Sequence, residues 1–103
     1  MDATPQAMPP PDWALAQVDT LMARGAAFFG TRYAIMGGAM SWVSERHLVA
    51  ALSNAGAFGV IACGAMEPSR LAEEIVGTQA LTRQPFGVNL ITMHPRLDQL
   101  VQT

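Results

Sequence analysis

Between Arg32 and Ile91 one pattern recurs: a short apolar run, a glycine-containing corner and an amphipathic stretch. Tyr33-Ala34-Ile35-Met36 leads into Gly37-Gly38, Phe58-Gly59-Val60-Ile61-Ala62-Cys63 into Gly64, and Phe86-Gly87-Val88-Asn89-Leu90-Ile91 into Thr92. Apolar runs of about four to eight residues bounded by Gly or Pro suit strands covered on both faces, as in parallel sheets. Their alternation with helical segments predicts βα units. Ile35, Val60, Ile61, Val88 and Leu90 are then expected in neighbouring parallel strands, ordered 1-2-3 and joined by right-handed crossovers.

The amphipathic stretches carry start and stop signals. Asp12 is a candidate N-cap for a helix from Trp13 to about Arg24, with Ala14, Val18, Leu21 and Met22 on one apolar face and Gly25 and Gly30 bracketing its exit. This helix precedes the repeat and is expected to cover the amino-terminal end or outer flank of the fold. The second helix is expected to start after Ser44 as N-cap, with Glu45 in the first turn where the helix dipole favours an anion. Leu48, Val49 and Leu52 form its inward stripe, and Asn54-Ala55-Gly56 is a stop with glycine at C′. The third helix has Pro68 at its first position. Leu71, Ala72, Ile75 and Val76 are predicted inward, and Arg70, Glu73 and Glu74 toward water. Thr82 to Pro85 returns the chain to the third strand, and Pro95 opens a last helix with Leu97, Leu100 and Val101 as its stripe. Residues 1–11 are polar and Pro-rich, which predicts a disordered or surface-draped segment.

Composition narrows the function class. Half of the 103 residues are apolar and 14% are charged, against a usual quarter or so, which suits a surface largely covered by other protein. Six basic and eight acidic residues give a formal charge of −2, and the scattered cations supply no stripe for nucleic acid. A single cysteine excludes an intrachain disulfide framework and points to a reducing, cytoplasmic setting. The start of the chain has no cationic region followed by an apolar core, so no secretory signal is read there. The longest uncharged apolar run, Ala55 to Met66, falls far short of the roughly 20 residues of a membrane span.

Loops that leave the carboxyl ends of parallel strands build ligand sites, which directs attention to Gly37–Ser44, Gly64–Glu67 and Asn89–Pro95. Gly37-Gly38-Ala39-Met40 lets backbone approach a flat or anionic ligand, or else forms a tight corner requiring positive φ. It has neither the dinucleotide fingerprint nor the P-loop Gly-Lys-Ser/Thr. Asn89 interrupts an apolar strand near its carboxyl end. A buried amide without partners costs about 1–3 kcal/mol, so Asn89 either ties down a loop or meets a ligand. Met40 either packs or lies against an aromatic ligand. His47 reads as a solvated surface residue, His94 as a loop residue with no carboxylate to orient it, Cys63 as a core thiol and Trp42 as a loop anchor. No Cys or His spacing suggests a metal.

Three blocks, Gly37-Gly38-Ala39-Met40-Ser41-Trp42-Val43-Ser44, Leu52-Ser53-Asn54-Ala55-Gly56-Ala57-Phe58-Gly59-Val60-Ile61 and Pro85-Phe86-Gly87-Val88-Asn89-Leu90-Ile91, occur in order and at suitable spacing. Together they resemble the opening of the nitronate monooxygenase family, formerly 2-nitropropane dioxygenases, which includes closely similar flavin-dependent enoyl-ACP reductases. The resemblance implies a TIM-type (β/α)8 barrel binding FMN at its carboxyl-terminal face. Such a barrel takes about 250 residues, so residues 12–103 are expected to form an N-terminal part, about three βα units, of a truncated α/β barrel preceded by an extra helix. The resemblance further implies that Gly38, Ala39 and Met40 lie against the isoalloxazine ring and that Asn89 bonds to the flavin or its ribityl chain. Where the family often has Gln-Gly-Gly-Met, this chain has Gly37-Gly38-Ala39-Met40. The family's catalytic histidine and phosphate-binding loops have no counterpart in these residues, so catalytic groups are expected beyond residue 103. The implied activity is oxidative denitrification of alkyl nitronates by O2. NAD(P)H-dependent reduction of an enoyl thioester is the alternative, and a non-catalytic fragment the third. Expected partners are a small-molecule substrate and a second copy in a homodimer, with no nucleic acid and no membrane.

Overall fold

In the computed structural model, which describes residues 6–103, the repeat resolves into three parallel strands with helices between them. The elements are α1 (Asp12–Phe29), β1 (Met36–Gly37), α2 (Arg46–Asn54), β2 (Phe58–Ala62), α3 (Pro68–Leu81), β3 (Phe86–Asn89) and α4 (Leu97–Gln102). The sheet order is β1-β2-β3, as expected from the pattern. Met36 pairs with Phe58 in the first ladder, and Val60, Ile61 and Ala62 pair with Gly87, Val88 and Asn89 in the second. Ile35 and Leu90 fall one residue outside the regular strands. The segment before β1 nevertheless follows β2 closely, because Tyr33 N–H donates to the Gly56 carbonyl at 2.9 Å and Phe58 N–H to the Ile35 carbonyl at 2.8 Å. The expected disorder at residues 1–5 lies outside the described residues, while residues 6–11 are irregular and exposed.

Side-chain alternation divides the sheet into two unlike faces. Ile61 and Cys63 of one face pack with Val49, Leu71 and Leu100, flanked by Met66, Ile75, Phe86, Val88 and Leu90, so this face carries the core beneath α2, α3 and α4. Cys63 is fully buried there, and burial pushes its thiol pKa up. The helix α2 lies very close to β2: a Cβ on Gly59 would sit 2.5 Å from the Val49 carbonyl oxygen and 3.0 Å from its Cα. The register and pleat put Met36, Phe58, Val60, Ala62, Gly87 and Asn89 on the opposite face.

Several expectations require correction, among them the α4 start, which is Leu97 and not Pro95, and Val101, which is exposed. The first helix does not end at Arg24 but continues through Gly25 to Phe29, closed by Gly30 in the left-handed region at φ 69°. Gly25 is a contact point and not an exit: a Cβ there would lie 2.6 Å from Ala34 Cβ. Asp12 lies inside the first turn with Pro11 at the N-cap and no side-chain cap, and Leu21 is 84% exposed. The half-buried positions Ala14, Val18, Met22, Ala26 and Phe29 define the true stripe. Its end reaches the amino-terminal side of the sheet, where Phe29 stacks on Phe58 with centroids 4.7 Å apart. That agrees with a role at the amino-terminal end, opposite the carboxyl-end loops.

A further correction is Glu74. Helical phase alone put it toward water, yet it has no exposed surface. Its carboxylate accepts from Arg46 N–H at 3.0 Å, Arg46 Nε at 3.2 Å and Arg46 Nη2 at 2.9 Å, and pairs with Arg70 Nη2 at 2.6 Å. A buried carboxylate requires such partners. The Arg46 guanidinium hydrogen bonds hold its pKa below the ordinary glutamate value, against the opposing effect of burial. Val76, expected inward, is 64% exposed. Gly77 leaves room for Arg46, since a Cβ there would lie 2.5 Å from Nη1. Another is Trp42, which is 85% exposed at φ 68° and anchors nothing. The last is the α2 cap, where Glu45 takes the place expected of Ser44 and accepts from the N–H groups of His47 and Leu48 at 3.1 and 3.2 Å.

Candidate functional site

The sheet face opposite the core carries an open depression of about 300 Å³ that runs from Met36 and Phe58 to the carboxyl ends of β1 and β3. Met36, Phe58, Val60 and Gly87 form its apolar floor, and Gly38, Ala39 and Asn89 its polar margin. Three of the four residues singled out from sequence thus meet, although Gly38 and Asn89 lie 51 positions apart in the chain. The sheet explains their meeting: β1 delivers the glycine corner and β3 delivers Asn89 on either side of β2.

The two readings of the glycine corner can now be separated. Neither Gly37 nor Gly38 has positive φ; among the described residues the positive-φ glycines are Gly30 and Gly56. Gly37 is explained by packing, because a Cβ there would collide with Leu52 Cδ1. Gly38 is not, since a Cβ built on it meets nothing within 4 Å. Among the described residues the N–H groups of Gly38 and Ala39 also have no hydrogen-bond partner. Two consecutive donors therefore stand free beside an apolar floor, an arrangement that suits a flat heteroaromatic ring with acceptor atoms at its edge.

Asn89 differs from expectation. It is exposed at the last position of β3, and its side chain makes no hydrogen bond among the described residues. It does not tie down a loop, and it lines the depression. Met40 also differs. Its N–H donates to Ser44 Oγ at 2.9 Å, and its 52%-exposed side chain is not part of the lining.

His47 is exposed, with Nδ1 2.8 Å from Glu45 Oε2. Burial raises the Glu45 pKa, but the amide and side-chain hydrogen bonds of His47 and the Leu48 amide outweigh it and hold the carboxyl below its ordinary value. His94 is occupied locally, its Nδ1 accepting from Arg96 N–H at 3.0 Å. Neither histidine lines the depression. A second hollow of about 340 Å³ lies between Trp42 and Met66 and includes Glu45, Glu67 and Arg70. Those charges are already engaged: Glu45 caps α2, Glu67 pairs with Arg96, and Arg70 pairs with Glu74. Among the described residues no group of His, Cys, Asp and Glu could hold a metal ion, and no helix is long and apolar enough to cross a membrane.

Residues 22–101 match the family described as nitronate monooxygenase. The chain belongs to that family. It is 42% identical over 59 residues to a probable nitronate monooxygenase of Staphylococcus haemolyticus, covering 57% of this chain and 16% of the relative. It is 34% identical over 73 residues to a Rhodococcus jostii protein named (3aS,4S,5R,7aS)-5-hydroxy-7a-methyl-1-oxo-octahydro-1H-indene-4-carboxyl-CoA dehydrogenase, covering 71% of this chain and 21% of the relative. Among solved structures, FabK from Thermotoga maritima superposes with a TM-score of 0.75 at 38% identity, over 77% of this chain and 25% of FabK. The chain thus spans between a sixth and a quarter of the length of these relatives. Its three βα units are part of a TIM-type barrel, and the family is one of oxidoreductases. In a closed barrel the face bearing Met36, Phe58, Val60 and Gly87 is the interior, and its carboxyl end is where such barrels place their chemistry.

Proposed function

We propose that the protein carrying this chain is an FMN-dependent oxidoreductase that oxidises alkyl nitronates with O2, and that these residues form one wall of its flavin site. The observation that carries the reading is the convergence of Gly38, Ala39 and Asn89 on the apolar depression, with two free N–H donors and a free carboxamide. The apolar floor would lie against the isoalloxazine ring, the Gly38 and Ala39 N–H groups would donate to it, and the Asn89 amide would bond the ring or ribityl chain. Met40 would contribute its exposed thioether at the rim, since its N–H is already taken. Bound FMN supplies the electron-transfer chemistry; the protein's part is to hold and orient it and to exclude water.

NAD(P)H-dependent reduction of an enoyl thioester is the second reading, favoured by the CoA-thioester dehydrogenase name of the Rhodococcus relative. Assay of the full-length protein separates the two. Nitronate turnover without NAD(P)H supports the first, and NAD(P)H consumption only with an enoyl thioester supports the second. Inactivity toward both, in protein that holds flavin, would overturn both substrate assignments.

A further inference from the structure

Ser44 uses its N–H and hydroxyl on the loop that carries Gly38, Ala39 and Met40, and its carbonyl on β2. Its N–H donates to the Met40 carbonyl at 2.8 Å, and its own carbonyl accepts from Ala62 N–H at 3.1 Å. Its hydroxyl accepts from Met40 N–H at 2.9 Å and donates to the Gly38 carbonyl at 3.3 Å. The residue is 4% exposed. A serine serving as a helix cap would aim its oxygen at amides of the first helical turn; here Glu45 holds that role and the Ser44 hydroxyl points back into the loop.

The bonds form one frame. Ala62 is the register partner of Asn89, so the Ser44 carbonyl fastens the loop to β2 beside the strand position that carries Asn89. The hydroxyl fastens the same residue to both ends of the Gly38–Met40 segment. What it leaves free are the Gly38 and Ala39 N–H groups.

We propose that Ser44 is a positioning residue of the flavin site: it fixes the Gly38 and Ala39 donors in a preformed arrangement relative to β2. This rests on the FMN reading above. A preformed donor set binds more tightly than one ordered on binding. Loss of the hydroxyl releases Met40 N–H, and with it the direction of the two preceding amides.

The test uses the full-length protein as wild type, Ser44→Ala, Ser44→Cys and Ser53→Ala. The Ser53 hydroxyl is equally buried and accepts from Gly59 N–H at 3.2 Å, at the amino-terminal end of β2 and away from the loop. It controls for the general cost of losing a buried serine bond. FMN affinity is read by titration and the flavin environment by its visible absorption band. Ser44→Ala should weaken FMN binding about five- to tenfold and shift the band, whereas Ser53→Ala should lower the melting temperature and leave affinity within about twofold. Ser44→Cys keeps the volume and weakens the bonds, so it should fall between wild type and Ser44→Ala; it carries the test if Ser44→Ala does not fold. Wild-type affinity and spectrum in the folded Ser44 variants would overturn the proposal and leave the FMN reading standing. A wild type that binds no FMN would overturn both.

Discussion

Gly38→Ala separates a glycine kept for a ligand from one kept for the fold. An added Cβ at Gly38 meets nothing within 4 Å, and its φ lies outside the left-handed region. An alanine there costs no packing and no backbone strain, and by restricting the unfolded chain it should stabilise the protein by about 0.4–1 kcal/mol. In the proposed site the same methyl projects toward the flavin ring. Overpacking a fitted contact costs about 1–3 kcal/mol, which corresponds to FMN binding weakened by about 5- to 150-fold. Gly59→Ala is the opposite case. Its Cβ would lie 2.5 Å from the Val49 carbonyl oxygen, and moving the α2 backbone should cost about 1–3 kcal/mol or more of stability. Denaturant unfolding of the full-length apoprotein and FMN titration of the same samples read both quantities. Gly38→Ala that unfolds like Gly59→Ala, or that binds FMN as wild type does, would refute this separation.

Two further outcomes follow from named contacts. Asn89→Ala should leave stability unchanged, because the side chain is exposed and unpaired among the described residues, while weakening flavin retention by about 1 kcal/mol for one lost hydrogen bond; equal retention in dialysed wild type and variant would count against its role. Glu74 has a folded pKa below its ordinary 4.5, so its stabilisation is complete above that value and is lost as pH falls through the lowered one. Melting temperature against pH should therefore drop along an acid limb beneath about pH 4.5 that Glu74→Gln flattens, and an unchanged limb would exclude the Arg46–Glu74 pair as its source.

Much of this architecture was legible because backbone and burial act locally in the sequence. The second and third apolar runs contain strands and the first reaches one only at Met36, while Pro68 opened α3 and Gly56 ended α2 in the left-handed conformation at φ 96°. Several of the differences come from contacts that sequence spacing does not display. Gly25 looked like a stop, but Ala34 packing against it makes a side chain there intolerable. Glu74 looked solvated, but Arg46 from the preceding helix and Arg70 from one turn earlier enclose it. Ser44 and Glu45 are adjacent and both suited to capping, and the choice was decided by the loop's demand for the Ser44 hydroxyl. Of the site, Gly38, Ala39 and Asn89 were readable from their places at strand ends. Ser44 as a loop fastener left no signal beyond being a serine four residues after Met40. Asn89 was misjudged as buried because the apolar strand around it is covered on one face and open on the other.

In the proposed function the depression between Gly38 and Asn89 receives the flavin. Amide hydrogen exchange of the full-length protein, with and without FMN, addresses it most directly. Exchange at the Gly38 and Ala39 amides, which have no partner among the described residues, should slow saturably with FMN, as should exchange across residues 86–91. Unchanged exchange at Gly38 and Ala39 in flavin-saturated protein would contradict it.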